Sequence, residues 1–384
     1  MRPYKGGRFR VYTMTINQSS DDFDVVIIGA GIAGSLLTKL LIAANLNVLL
    51  IDNNKQPPLS LAESLPDTAN PMLERLDIAH LLRNSPHKPS SGYNILWGNE
   101  TLSEKPFIQT KSKSGWKVDK SALIADIQAC FHSDILIKGT IGSLCPNAAG
   151  FNLSIGPSHR VVGARFIVDT SGRRAWLAKQ LSIGNHKFDQ LLAFAVNVPR
   201  KLHPHIKHPV FVEAMNNCWG LVSQINDNEN LLALFTNRQA ADLNQCKKLS
   251  QWHILCQRSH YFKHFIPADS NYPVHSVDAN SRIATRLCGD NWLFAGDAAM
   301  SFDPLSSHGM TTAMYMAEKA SVAIVQYFNG APESLKQYAK QMTNIYNSYL
   351  NELVTYYQRE TRWPESDFWQ SKQRISIAAE GSVK

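Results

Sequence analysis

The stretch DFDVVIIGAGIAGS, residues 22–35, constrains this chain more than any other. Phe23 to Ile28 is a β-branched apolar run that reads as a buried strand; it breaks at Gly29 and restarts with helical spacing through Leu36, Leu37, Leu40 and Leu41. A second strand is expected over Asn47–Ile51, ending at Asp52. Gly29, Gly31 and Gly34 stand as G-x-G-x-x-G inside this βαβ frame. Gly29 permits the tight turn, Gly31 lets backbone approach a pyrophosphate, Gly34 lets helix and strand touch, and Asp52 can accept from ribose hydroxyls. The helix N-terminus faces the phosphates with its positive end. The expected dinucleotide contacts are Gly29, Gly31, Ile32, Ala33, Gly34, Asp52 and Asn53.

Beyond Asp52 the alternation of strand and helix that a nicotinamide dehydrogenase would show does not continue. A Pro-rich loop covers residues 53–70, and a helix is expected over Pro71–Leu82. Glu63 and Ser64 sit where this loop would return towards the dinucleotide; equally, Ser64 or Asp67 could cap the helix that follows. Residues 92–97 read as a short strand, and residues 115–138 as an edge strand, an amphipathic helix opened by Lys120, and a strand over Ile135–Ile137. Phe166–Val168 then form a buried strand running into Asp169-Thr170-Ser171-Gly172-Arg173. From 188 to 282 apolar and polar residues alternate in strand-sized pieces, including a hairpin around the turn-rich 226–230, as expected of an inserted antiparallel domain facing the substrate.

The chain comes back to the first sheet at NWLFAGDAAMSFDPLSSHGM, residues 291–310. Its strand ends at Gly296-Asp297, and its loop closes before a helix over Met314–Phe328. A long helix follows over Pro332–Glu360, with the aromatic tail RWPESDFW at 362–369. The fold class is therefore α/β with α+β elements. A Rossmann-like unit is expected over 23–187 and 283–330, the inserted sheet domain over 188–282, a helical segment over 331–384, and a disordered extension over 1–22.

A content of 44% hydrophobic and 18% charged residues excludes a disordered chain. No apolar run reaches the roughly 18 residues of a membrane helix. The first 22 residues lack the apolar core of a secretory signal. Six cysteines are scattered without metal-ligand spacing, which fits a reducing cytoplasm and no metal site. The formal charge of +8 is dispersed, which reads as a basic surface able to meet an acidic protein, not as a nucleic-acid site.

The N-terminal glycine unit, VDTSGR and AGDAAMSFDP together resemble the flavin-dependent monooxygenases and halogenases of the p-hydroxybenzoate hydroxylase fold. Four further segments, AESLP, the pair Trp97-Gly98, FDPLSSHGM and RWPESDFW, resemble the LodB/GoxB type of flavoprotein that matures cysteine tryptophylquinone enzymes, over nearly the whole chain after Asp21. The chain carries His308 where that family has Gln and Lys120 where it has Arg, and it lacks the halogenase W-x-W-x-I-P signature. The resemblance implies FAD, with Asp297 on the ribityl chain and the loop Pro304–Met310 over the ring. The implied flavin contacts are Gly296, Asp297, Pro304, Ser307, Gly309 and Met310, joined by Ser64 and Lys120, with His308 and Glu63 as candidates for proton handling.

The activity so implied is an FAD-dependent monooxygenase that hydroxylates a tryptophan of a precursor protein, the precursor of a tryptophylquinone oxidase. O2 and NAD(P)H, or an external reductase, would be its co-reactants. A hydroxylase or halogenase of a small indole, and a flavin-bound chaperone without catalysis, are the alternatives.

Overall fold

The computed structural model describes residues 22–374 apart from 54, 56–58, 60, 108–113, 157–159, 238–244 and 270. The extension expected over 1–22 lies outside them except for Asp22, which opens the first strand, and so do residues 375–384 of the tail.

The opening motif folds as its residues dictate. The strand Asp22–Ile28, the helix Ile32–Ala43 and the strand Val48–Asp52 form the βαβ unit, the strands pairing in parallel with Val25 opposite Val48. Val25, Val26, Ile27, Leu49 and Leu50 are at most 1% exposed, as required of parallel strands covered on both faces. Each such side chain contributes about 1.5–3 kcal/mol through burial. The first strand's other edge takes Arg160–Asp169 in parallel, and that strand takes Trp292–Phe294. Leu136–Lys138 closes the far side, and an antiparallel hairpin of Ile141–Asn147 and Gly150–Ile155 extends from Arg160–Asp169. This is the expected Rossmann-like sheet, assembled from three distant stretches of chain.

A second sheet has seven strands in the order His275–Asp278, Leu192–Pro199, Glu229–Thr236, Cys218–Gln224, Val210–Met215, Gly92–Leu96, Ser103–Pro106. The hairpin around 226–230 is present. The sheet is not confined to 188–282, because Gly92–Leu96 pairs in parallel with Val210–Met215 and so satisfies an edge that the insertion leaves open. Its inner face, with Trp219, Ala233 and Phe235, belongs to the same apolar core as the first sheet. Its outer face packs beneath Leu249–Cys256 and Phe262–Phe265. A division into 23–187 with 283–330, 188–282 and 331–384 is proposed on this architecture, with 92–106 attached to the insertion's sheet.

One helix is shorter than its sequence suggests. Instead of Pro71–Leu82, the α-helix spans only Asn70–Arg75. Asp77 adopts a φ of 53°, and Ile78 N donates back to Leu73 O at 3.0 Å, a left-handed closure that turns the apolar Ile78 into the core. The long carboxyl-terminal helices, Gly309–Phe328 and Glu333–Gln358, pack on each other, and the short helix Asp367–Gln373 docks against the second of them. Trp369 of this last helix is 1% exposed. The aromatic tail is thus part of the core.

Candidate functional site

Four parallel strands end on the same edge of the first sheet, so Gly29, Asp52, Asp169 and Gly296 gather there, where ligands bind in open α/β folds. Gly29 has a φ of +102°, and a Cβ on it would lie 2.6 Å from Thr170 O. Thr170 Oγ1 in turn donates to Ile28 O at 3.0 Å and to Gly29 O at 2.7 Å. A Cβ on Gly34 would collide with Gly29 O at 1.9 Å, so helix and turn touch only because this residue is glycine. Gly31 differs from both, since a Cβ there would meet nothing within 4 Å. It is the N-cap of Ile32–Ala43 and supplies no side-chain cap. The first amides of that helix, including those of Ile32, Ala33 and Gly34, therefore lack helical partners beside open space, which suits a pyrophosphate.

The ends of the other strands complete this edge. Asp52 is half-buried, and among the described residues nothing hydrogen-bonds to its carboxylate; the neighbouring Asn53 caps its own turn by accepting from Lys55 N at 3.0 Å. Asp169 does different work. It is wholly buried, and its oxygens accept from Ser171 N at 2.8 Å and Leu177 N at 2.7 Å. Burial pushes its pKa up, and those bonds to the charged form oppose the shift. The D-T-S-G-R segment thus orders the Gly29 turn and presents Arg173, which donates to Asn280 O at 2.9 Å and Phe302 O at 3.3 Å.

Gly296 has a φ of +61°, and its Cβ position lies 3.1 Å from Ala33 Cβ, so the two glycine turns abut. Asp297 follows with a carboxylate 42% exposed and 4.0 Å from Arg173 Nε. Lys120 Nζ donates to Glu63 Oε1 at 3.1 Å. Glu63 raises the Lys120 pKa against the opposing effect of burial, and Asp297 adds to the rise. Glu63, Lys120, Asp297 and Arg173 therefore form a patch of alternating charge beside the turns. Neither Ser64 nor Asp67 caps the Asn70–Arg75 helix with its side chain. Ser64 lies instead in the strand Glu63–Leu65, and its hydroxyl accepts from Lys117 Nζ at 2.9 Å, leaving its own proton for another acceptor.

The loop that follows is shaped by Asp303, whose Oδ1 accepts from Leu305 N at 2.9 Å and so caps the turn Pro304–Ser306. Ser307 has a φ of 52°, and His308 is the N-cap residue of Gly309–Phe328. Pro304, Ser307, His308 and Gly309 are exposed, while Met310 is buried. The His308 ring makes no hydrogen bond among the described residues, yet the surrounding loop removes enough water to lower its pKa, with Glu352 pulling the other way. The structure thus brings Glu63 onto Lys120 and Gly296 onto Ala33, and leaves the His308 ring free at the loop surface.

One residue of this region escapes a reading by sequence. Lys117 is 7% exposed on the strand Gly115–Val118, and its ammonium donates to Ala62 O at 3.2 Å, Ser64 Oγ at 2.9 Å and Ser223 Oγ at 2.9 Å, bridging the Glu63 strand to the second sheet. Burial pushes its pKa down to about 7, against a small opposing effect of Glu63. Between that value and the ordinary lysine range the folded chain binds fewer protons than the unfolded one, so stability rises with pH across the window, by at most about 1.4 kcal/mol per pH unit. Thermal melts of the wild type and a Lys117→Met variant should therefore diverge, with the wild type gaining on the variant as pH climbs from neutrality. A difference that stays constant with pH would refute the shift.

Residues 137–382 match the family model described as tryptophan halogenase. The putative FAD-dependent oxidoreductase LodB of Marinomonas mediterranea is 25% identical over 381 residues, covering 94% of this chain and all of that protein. Among solved structures, the myxobacterial chondrochloren halogenase CndH superposes with a TM-score of 0.80 at 18% identity, covering 93% of this chain and 87% of that one. The peptidyl tryptophan dihydroxylase QhpG, essential for tryptophylquinone cofactor biogenesis, superposes with a TM-score of 0.75 at 16% identity, covering 92% and 79%.

Proposed function

The chain belongs to the tryptophan halogenase family and is an FAD-dependent oxidoreductase, and on that premise we propose that it hydroxylates a tryptophan side chain within a precursor protein, a step towards the tryptophylquinone cofactor of an amino-acid oxidase. The observation that carries this reading is spatial. Trp97-Gly98, FDPLSSHGM and RWPESDFW are far apart in sequence, yet all three meet the last two helices, while AESLP is tied to the second sheet. Gly98 N donates to Glu360 Oε2 at 2.8 Å, and that carboxylate pairs with Arg362 at 2.6 Å. The Trp97 ring meets Trp369 edge-on at 5.1 Å. Lys117 ties Ser64 to the second sheet, and Asp303 is bonded from the carboxyl-terminal helix. Three of the segments that carry the resemblance to the maturation flavoproteins are therefore linked through the carboxyl-terminal helices. The likeness in fold to a peptidyl tryptophan dihydroxylase supports the same reading.

Bound FAD, once reduced, supplies the two electrons that let one atom of O2 enter an indole C–H bond while the other leaves as water. The chain's own part is to bind, orient and exclude water. The amides after Gly31 and the carboxylates of Asp52 and Asp297 would hold the dinucleotide, and the loop Pro304–Met310 would face the ring, its helix N-terminus favouring negative charge there. His308, whose pKa is lowered by the loop around it against the pull of Glu352, could accept the proton released from the indole carbon. Glu63 is held by Lys120 and would orient or relay at the same edge. NAD(P)H or an external reductase supplies the electrons, and the basic surface suits an acidic protein substrate.

The test uses the purified protein, FAD, a flavin reductase with NADH, O2 and the precursor of a tryptophylquinone oxidase. Peptide mass spectrometry should find oxygen added to a precursor tryptophan only when this chain is present. Equal modification without the chain, or halogenation of free tryptophan in place of it when halide is added, would overturn the reading.

A further inference from the structure

Asp303 stands immediately before the loop 304–310, is wholly buried and uses every polar atom it has. Besides capping Leu305, its carbonyl accepts from Ser306 Oγ at 2.8 Å and its amide donates to Tyr349 OH at 2.7 Å. The second carboxylate oxygen accepts from Tyr357 OH at 2.9 Å and from Lys372 Nζ at 2.7 Å. Lys372 is 1% exposed and comes from the helix Asp367–Gln373, almost at the end of the described chain. The same ammonium meets Asp189 Oδ2 at 2.9 Å. Asp189 lies just ahead of the strand Leu192–Pro199, where its carboxylate also accepts from Leu191 N at 3.0 Å. Tyr357 OH extends the network to the second sheet by accepting from Trp219 Nε1 at 3.0 Å.

One buried cation near the carboxyl terminus thus joins the root of the loop to the root of the second sheet. Burial works to lower the Lys372 pKa, but Asp189 and Asp303 outweigh it and keep the side chain charged. A well-packed apolar residue could dock the helix at least as firmly, because buried ion pairs seldom add stability over apolar packing. What an ammonium adds is direction, since it fixes one carboxylate oxygen and with it the backbone from which the loop hangs.

We propose that Lys372 is a positioning residue of the flavin site, so that docking of the carboxyl-terminal helix and ordering of the loop 304–310 around FAD are a single coupled equilibrium. The inference rests on the placement of FAD against that loop. Coupling between two sites is reciprocal. Lesions in the tail must weaken FAD binding, and FAD must in turn protect the tail.

The test compares wild type with Lys372→Gln, which keeps a donor but loses the charge. Lys372→Gln should melt at a lower temperature as apoprotein, bind FAD roughly tenfold more weakly by fluorescence titration, and shift the visible bands of the bound flavin. In wild type, FAD should slow hydrogen exchange across 367–374. If Lys372→Gln does not fold, Trp369→Phe serves instead, since it removes the 2.9 Å bond to Met215 O while keeping an aromatic ring in the last helix; it should weaken FAD binding in the same direction. A folded variant with wild-type affinity and unshifted bands, or a tail whose exchange ignores FAD, overturns the coupling alone. A wild type that binds FAD while exchange shows no change at 304–310 overturns the placement as well.

Discussion

Replacing Gly31 with valine should yield a protein that folds and melts like wild type as apoprotein and takes up no FAD at micromolar concentrations. Both halves follow from one observation, that a Cβ at this position would meet no protein atom within 4 Å. The space beside it is where uncapped helix amides would hold the pyrophosphate, and an isopropyl group would fill it. Removing those contacts should weaken binding by roughly 100-fold or more, a loss of about 2.7 kcal/mol. Gly34→Val makes the contrast. Its Cβ would stand 1.9 Å from Gly29 O and 2.6 Å from Thr170 Oγ1, so helix and sheet would have to part, and little folded protein is expected. Circular dichroism and FAD titration on both variants decide the matter. Wild-type affinity in Gly31→Val would mean that the dinucleotide lies elsewhere.

Asp297→Ala should be the second most damaging change to flavin binding and should leave the fold alone. The carboxylate is 42% exposed on a turn fixed by Gly296, so its loss empties no core. A charge-assisted hydrogen bond to a ribityl hydroxyl is worth about 1.5–3 kcal/mol, which corresponds to roughly 10- to 100-fold in affinity. The substitution also removes the carboxylate 4.0 Å from Arg173 Nε and one of the two acids that sustain the charge on Lys120, whereas Glu63 remains. Asp297→Asn keeps an acceptor and should recover part of the loss. Absorbance of the purified variants near the flavin bands, followed by titration, reads this directly; a fully yellow Asp297→Ala protein would remove Asp297 from the site.

The opening βαβ unit was legible because its information is local: β-branched residues for the strand, glycines for the turn and an acid where the second strand ends. The same holds for the hairpin around 226–230, whose turn residues are contiguous. The attachment of Gly92–Leu96 to Val210–Met215 was not legible, since parallel pairing across such a separation leaves no mark in either segment alone. The early stop of the helix after Arg75 depends on Asp77 taking a left-handed conformation that aspartate adopts only in context. Lysines were the hardest to read. Lys117 and Lys372 look like surface charges in sequence, and only the fold shows the hydroxyls and carboxylates that make their burial tolerable. Lys120 was legible as to place and not as to partner, because Glu63, which holds it, lies 57 residues away in sequence.

The order of strands in the first sheet carries a consequence for synthesis. Asp22–Ile28 leaves the ribosome first, yet its free edge is covered by Arg160–Asp169, and that strand's by Trp292–Phe294. The nascent glycine turn therefore waits, with a sticky parallel edge unpaired, until Arg160–Asp169 has been made. Thr170, which clasps Gly29, emerges after that strand, and Lys372, which anchors Asp303, emerges far later. On the coupling proposed above, flavin capture would follow the emergence of Lys372, and the long interval before it is the time in which the unpaired strand edges are most open to wrong association.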